Sequence, residues 1–233
     1  MKITIQRANK ESFLLEDKKQ TLLEGFRYIK KNLDRTFTFS QGCRSGVCGS
    51  CACIVDGKEV LACKVFIKDN MKVEPLKNLQ VIRDLVVENS LISTKIKENK
   101  SYILNPQKTK VTKEDVAKID RQSNCILCQS CYSSCPVYEV NPKFAGPYVL
   151  SRVLRYVDDK KEENQKEHID IVQNDGIWDC TMCGNCTMVC PQYLDPKGDI
   201  QTLRNISAKY GYMDPNFASF GGGFDVNGFG LNF

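Results

Sequence analysis

The first eight residues, MKITIQRA, alternate apolar and polar side chains, the period of a strand with one buried face. Residues 12–15 offer a second short strand. The period then changes. Leu22, Leu23, Phe26, Ile29 and Leu33 recur at helical spacing, which predicts a helix over 21–33. Thr21-Leu-Leu-Glu24 opens it as a capping box: the threonine accepts from the third helical amide and the glutamate reaches back. TFTF (36–39) predicts a short strand. CACIVDGKEVLACKVFI (51–67) predicts a hairpin turning at Asp56-Gly57, and MKVEPL (71–76) a final strand.

Beyond residue 95 the strand period does not return. The stretch 95–112 is rich in Lys, Asn and Ser, contains Pro106, and reads as a linker. Thr112-Lys-Glu-Asp115 caps a predicted helix running to about Arg121. Tyr148 to Tyr156 has helical period behind Gly146-Pro147. The segment 158–168, with Asp158, Lys160, Glu162 and Glu167, reads as an exposed helix end or loop. The tail FGGGFDVNGFGLNF (220–233) has no period, and such composition buries no core by itself. Disorder and docking on a partner are equal readings of it. The pattern therefore predicts an α+β protein: a strand-rich unit over 1–98 and a helical unit over 99–233 that includes the tail.

Composition narrows the function. Of 233 residues, 42% are hydrophobic and 26% charged, the range of globular proteins. The net charge of +5 is spread along the chain without a basic arm, so no nucleic-acid partner is expected. No apolar run approaches the roughly 18–20 residues that cross a bilayer. MKITIQRANKES lacks the apolar core of a signal peptide. Membrane contact, if made, is expected to come through a partner. The 13 cysteines change the picture most. A disulfide framework suits a short secreted chain, whereas thiols at ligand spacing suit a reducing or anaerobic setting.

Cys43-x4-Cys48-x2-Cys51, followed by Cys63, is the plant-type spacing for a [2Fe–2S] cluster. Gly42, Gly46 and Gly49 allow the loop GCRSGVCGS to approach closely and leave amides free to face the sulfurs. A four-cysteine zinc site is the alternative, but it usually pairs two short knuckles. Cys53 is left over and is expected to pack as a small hydrophobe. CILCQSCYSSCP (125–136) and CTMCGNCTMVCP (180–191) repeat one another as C-x2-C-x2-C-x3-C-P. In two-cluster proteins of this pattern the fourth cysteine of each run ligates the other run's cluster. Cys125, Cys128, Cys131 and Cys190 are then expected to hold one [4Fe–4S] cluster, and Cys135, Cys180, Cys183 and Cys186 the other. Pro136 and Pro191, behind the crossing cysteines, are placed to start helices. His168, alone of its kind, reads as a surface residue. No glycine-rich dinucleotide fingerprint appears, so neither a flavin nor a nicotinamide site, and no catalytic residue, is expected in the chain itself.

The motifs together resemble the iron–sulfur subunits of succinate dehydrogenases and fumarate reductases over roughly residues 1–210. DRTFTFSQGCRSGVCGSCA looks like that family's first cluster loop, and VEPLKNLQVIRDLVV like the segment joining its halves. AGPYVLSRVLRY, IWDC and LDPKGDI stand where relatives of these motifs would. The resemblance implies a β-grasp ferredoxin unit followed by a helical two-cluster ferredoxin unit. It implies a flavoprotein partner carrying FAD, a membrane-anchor partner, and electrons moving between succinate or fumarate and a quinone. It also implies a peripheral place on the cytoplasmic membrane; the absence of a signal-peptide core favours the cytoplasmic side, with the periplasmic side as the alternative if the subunit is exported with its flavoprotein. Two departures matter. Most members have no cysteine at the position of Cys183 and carry [3Fe–4S] there, whereas this chain is expected to carry [4Fe–4S], with [3Fe–4S] as the alternative. The family's quinone-pocket Ser, Trp and His are matched here by Val137, Val140 and Thr181, and the valines have no hydrogen bond to offer a quinone. Both departures resemble a non-classical branch, like the methylmenaquinol:fumarate reductases, whose anchor is a cysteine-rich subunit and which serves quinones indirectly. The iron–sulfur subunit of a thiol-dependent fumarate reductase or of another flavin-linked oxidoreductase is the alternative.

Overall fold

The computed structural model describes residues 1–16 and 19–215, so the tail 220–233 lies outside the described residues. Its first unit is built on β1 (Lys2–Gln6), β2 (Lys10–Leu14), α1 (Leu22–Tyr28), β3 (Ala52–Val55), β4 (Lys58–Leu61) and β5 (Met71–Glu74). The strands form one sheet in the order β2-β1-β5-β3-β4. The β1–β5 pair is parallel and the other pairs are antiparallel. Apolar residues of α1 (Leu22, Leu23 and Phe26) share one buried core with Ile3, Ile5, Leu61 and Val73 of the strands. This is the β-grasp arrangement. The capping box forms, with the Glu24 amide donating to Thr21 Oγ1 at 3.3 Å and the Thr21 amide to Glu24 Oε2 at 2.6 Å. The helix continues as a π-helical turn over Ile29–Leu33. The β3–β4 hairpin pairs Val55 with Lys58, and Asp56 and Gly57 between them are both left-handed (φ 48° and 81°). That is the demand of a two-residue type I′ turn.

TFTF does not form the strand its alternation predicts. The Thr38 amide donates to Asp84 Oδ2 at 2.7 Å, and the Thr38 carbonyl accepts from the Leu85 amide at 3.2 Å. The segment's backbone is thus held by a loop rather than a ladder. Its alternation records Phe37 burying its ring edge-on against Phe26, centroids 5.5 Å apart.

A two-stranded ribbon, β6 (Val81–Arg83) with β7 (Val86–Val87), and α2 (Ser90–Glu98) follow. The second unit comprises α3 (Lys113–Ser123), α4 (Ser130–Ser133), α5 (Pro136–Val140), α6 (Pro147–Val157), α7 (Gln165–Ile171), α8 (Asn185–Met188) and α9 (Pro196–Lys209). Helix α6 is its centre: Val149, Leu150, Val153, Leu154 and Val157 are buried in one core with Ile169 of α7 and Ile200 and Leu203 of α9. Thr112 and Asp115 form the expected capping box on α3.

The linker stretch is fastened to this unit over much of its length. Lys95 donates to the carbonyls of Pro142 and Lys143 at 2.8 and 3.0 Å. The amides of Leu104 and Asn105 donate to the two oxygens of Glu162 at 2.7 and 3.0 Å. This overturns two expectations for the charged segment. Glu162 and His168 are not exposed but buried, and His168 Nε2 lies 3.0 Å from Glu162 Oε2. A carboxylate is needed inside because two backbone amides of an irregular strap have no other acceptor. Burial works against the Glu162 charge, but bonds from His168 and from the amides of Leu104, Asn164 and Asn105 outweigh it and hold the carboxyl below its ordinary range. Stability from this group is complete above the ordinary carboxylate range and is lost as pH falls through the lowered value. Glu162→Ala is expected to cost about 3–5 kcal/mol near neutrality, because the strap amides and the imidazole lose their partner. The deficit should shrink at acid pH, as seen by denaturant unfolding at several pH values.

Pro136 starts α5, as its position behind Cys135 predicts. Pro191 does not start a helix. Tyr193 is left-handed (φ 58°), and α9 begins only at Pro196, capped by Asp195 accepting from the Gly198 amide at 3.0 Å.

Candidate metal centres

The loop carrying Cys43, Cys48 and Cys51 turns through left-handed Arg44, Gly46 and Gly49 (φ 59°, 85° and 73°). Those turns aim amides inward. Ser45 and Val47 each donate to Cys43 Sγ at 3.4 Å, and the Cys43 amide donates to Cys48 Sγ at 3.3 Å. Hydrogen bonds from Ser45 first, then from the Val47 amide, pull the Cys43 thiol down to about 6. Cys51 lies deeper, and burial first, with the neighbouring Cys63 and Cys48 adding, pushes it up to about 12. Cys63 comes from the turn after β4, beside Cys51, whose carbonyl accepts from the Ala62 amide at 3.0 Å. Cys53 sits on β3 opposite Val60, in the core behind the loop, where burial raises its thiol.

The two later runs share one backbone form. Leu127 and Met182 are left-handed at equivalent positions (φ 53° and 57°), as are Gln129 and Gly184 (φ 65° and 85°). One short helix follows each, α4 and α8. Cys125, Cys128, Cys131 and Cys190 line one concavity, together with Tyr148, Ser151 and Leu194. Burial first, then Cys128, Cys125, Cys186 and Cys190, pushes the Cys131 thiol well above its ordinary value. Burial, then Cys180 and later Cys135 and Cys183, pushes Cys186 up to about 12. Cys190 thus stands among the first run and Cys135 among the second. Cys183 is exposed.

The first loop and the first concavity touch. A Cβ on Gly49 would lie 2.8 Å from Cys128 Cβ and 2.9 Å from the Ile126 carbonyl. Gln192, two residues past Cys190, donates to the Gly46 carbonyl at 2.8 Å. Asn78 Nδ2, in the segment joining the halves, donates to the carbonyls of Tyr132, Ser133 and Cys135 at 3.1–3.2 Å. Ser133 accepts from the Lys77 amide at 3.0 Å and bonds Glu59 at 2.8 Å. Composition does not single out Asn78; its left-handed backbone (φ 59°) is its only local mark. Gly49→Val is expected to cost about 1–3 kcal/mol from the left-handed backbone, and about as much again from overlap with Cys128. A lowered unfolding midpoint and a loosened contact between the halves, read by hydrogen exchange at Gly46 and Cys128, would check this.

Among the described residues no three His, Cys, Asp or Glu side chains stand close enough to hold a single metal ion. A polynuclear cluster does not need such closeness, because its own iron and sulfide atoms occupy the space between its ligands. Soft thiol donors, a glycine-bearing loop, inward amides and a walled concavity fit such a group.

Comparison with known proteins agrees. Residues 3–94 match the family model of the 2Fe-2S iron–sulfur cluster binding domain, and residues 121–194 that of the 4Fe-4S dicluster domain. The fumarate reductase iron–sulfur subunit of Escherichia coli O6:H1 is 36% identical over 203 residues, covering 83% of each chain. The chain belongs to the iron–sulfur subunits of succinate dehydrogenases and fumarate reductases. One subunit of the fumarate reductase (CoM/CoB) of Methanothermobacter marburgensis is 33% identical over 86% of this chain, but that match covers only 41% of the relative. A chain of the Mycobacterium smegmatis Sdh1 complex in the apo form has the same fold, with a TM-score of 0.82 at 20% identity over 92% of this chain and 98% of that one. As an iron–sulfur subunit of this family the chain is an electron-transfer component of a succinate/fumarate oxidoreductase complex. No helix among its described residues is long and apolar enough to cross a membrane. Around Cys180 there is an open groove lined by Trp178, Thr181 and Arg204. Arg204 there donates to the Cys180 carbonyl at 2.7 Å, and Trp178 Nε1 to Gln173 at 2.9 Å. Thr181 and Val140 are exposed and Val137 is half-buried.

Proposed function

We propose that this subunit carries electrons between a FAD-bearing flavoprotein and a membrane-anchor subunit through three centres. Cys43, Cys48, Cys51 and Cys63 hold the [2Fe–2S] cluster. Cys125, Cys128, Cys131 and Cys190 hold one [4Fe–4S] cluster, and Cys135, Cys180, Cys183 and Cys186 a second. When bound, these clusters supply one-electron carriers. The protein's own part is to place and insulate them. Amides of Ser45 and Val47 face the first thiolate set, and hydrogen bonds to sulfur raise a cluster's potential. Asn78, Lys77 and Gln192 fix the two halves against each other, which keeps the path between centres short and constant. The observation that carries the reading is the contact of Gly49 with Cys128, which brings the first loop against the second thiol set.

No substrate site belongs to the chain in this reading; succinate and fumarate chemistry is left to the flavoprotein. The anchor is a cysteine-rich subunit, since Val137, Val140 and Thr181 offer a quinone little to bind. The complex sits on the cytoplasmic membrane as a peripheral assembly, cytoplasmic side in. A second reading, the iron–sulfur subunit of a thiol-dependent fumarate reductase, is favoured by the likeness to the methanogen relative. Anaerobic purification with the neighbouring subunits separates the two. Reduction of the clusters by a menaquinol analogue supports the first reading. Reduction by a thiol pair but not by a quinol overturns it in favour of the second.

A further inference from the structure

The concavity formed by Cys125, Cys128, Cys131 and Cys190 has three hydroxyl-bearing residues in its wall. Ser130 Oγ is already bonded to Cys128 Sγ at 3.4 Å, which leaves two. Tyr148 and Ser151 lie three residues apart on α6, on one face of the helix, and both line it. They are 2% and 1% exposed, yet neither Tyr148 Oη nor Ser151 Oγ has a hydrogen-bond partner. A buried hydroxyl without a partner costs about 1–3 kcal/mol, so such groups are rare in a native interior. Two of them on one wall, both facing a thiol-lined space, call for an acceptor inside that space.

The protein's own acceptors come near both hydroxyls without bonding either at ordinary length. The nearest competitor for Ser151 is Asp199 on α9, which is fully buried. Its Oδ1 already accepts from Arg121 at 2.5 Å and Gln122 at 2.9 Å. Its Oδ2 competes for the Ser151 hydroxyl, which favours the charged carboxylate, yet neither atom has a hydrogen bond of ordinary length. For Tyr148 the neighbour is Tyr132, ring centroids 4.5 Å apart, whose hydroxyl donates to the Ala145 carbonyl; its oxygen can still accept, but Tyr148 makes no hydrogen bond of ordinary length to it. Among the described residues the third cysteine set has no such pair. Asn185, which matches Ser130 in the repeat, is spent on the Ser134 carbonyl, and Thr187 on Asp195.

We propose that Ser151, with Tyr148 beside it, donates O–H···S hydrogen bonds to the cluster held by Cys125, Cys128, Cys131 and Cys190, and so raises the reduction potential of that centre alone. A donor to sulfur stabilises the more negative, reduced cluster, and potential follows such bonds. Ser151 is a tuning residue, not a ligand. The inference rests on the ligand sets proposed above.

The test is EPR-monitored redox titration of the purified complex, comparing wild type with Ser151→Ala, Ser151→Thr and Tyr148→Phe. Ser151→Ala is expected to lower the midpoint of this one centre, shifting its oxidised-to-reduced ratio at fixed potential by about tenfold, or ~59 mV for one electron. Ser151→Thr should restore it, Tyr148→Phe should lower it, and the other two midpoints should not move. An exchangeable-proton coupling at the reduced centre should disappear in Ser151→Ala. Unmoved midpoints in Ser151→Ala and Tyr148→Phe, with iron, sulfide and all three signals intact, overturn the tuning and leave the ligand sets standing. A wild type that lacks this cluster's signal overturns the ligand reading instead. If Ser151→Ala loses the cluster outright, the Tyr148→Phe midpoint decides: a fall supports the inference and no change overturns it.

Discussion

Cys190→Ala is expected to remove the cluster of the first cysteine run although it lies in the second. Cys190 lines the concavity with Cys125, Cys128 and Cys131, and its charge is felt by Cys125, Cys128 and Cys131. Three thiols would remain around that space. Loss of the fourth should drop iron by one cluster's worth, or leave a labile three-iron remnant, while the centre at Cys135, Cys180, Cys183 and Cys186 keeps its signal. Cys186→Ala is the opposite control and should spare the first centre. Iron and sulfide analysis with low-temperature EPR reads both. Loss of the second-run centre in Cys190→Ala, with the first intact, would mean each run ligates its own cluster and the crossing is wrong. The structural cost will exceed the metal's alone. Metal binding and folding are coupled in such sites, and each crossing cysteine ties one run to the other, so the contact between α4 and α8 should loosen as well. Denaturant unfolding of the loaded variant should show a lower midpoint than wild type.

How far the chain is readable follows from how local its signals are. The capping boxes at Thr21 and Thr112 and the Asp56-Gly57 turn depend on residues within a few positions of one another, and they form as their sequences predict. The cysteine runs are also local, and their repeat extends to the left-handed residues that no composition would reveal. What is not legible depends on distant partners. TFTF alternates like a strand, but its acceptor and donor lie some forty-six residues away at Asp84 and Leu85, so the segment docks instead of pairing. Glu162 sits in a run of charges that looks solvated. Only the fold brings the amides of Leu104 and Asn105 to it, and only then does a buried carboxylate become necessary. His168 goes inside with it for the same reason. Asn78 is a single polar residue in a plain stretch, and its three carbonyl partners belong to the other half of the chain. The pair of hydroxyls at Tyr148 and Ser151 is hidden within a helix whose sequence shows only an apolar period.

Cys183→Ser is expected to turn the outermost centre from [4Fe–4S] into [3Fe–4S], giving an EPR signal in the oxidised protein. The structure separates this effect from damage to the fold. Cys183 is exposed, whereas Cys135 and Cys186 are buried and Cys180 is half-buried. Replacing an exposed thiol disturbs no packed core, so any loss of stability should come through the cluster and not through packing. The three remaining thiols should still hold the cluster's other irons, while the iron facing solvent loses its ligand. Serine retains an oxygen that can stand in for sulfur, so Cys183→Ala is the stricter variant and should give the same signal. An oxidised spectrum unchanged in both variants would show that Cys183 is not a ligand. The consequence reaches the electron partner. Removing one iron alters cluster charge, and potential varies widely with cluster type and charge. If the chain delivers electrons from this centre to a cysteine-rich anchor at low potential, the converted centre should trap them. The flavoprotein would still reduce it, but turnover with the anchor would fall well beyond tenfold. If the variant keeps full turnover with a quinol and shows the new signal, the acceptor is one that a high-potential centre serves equally well. The cysteine-rich anchor is then the wrong partner for this subunit.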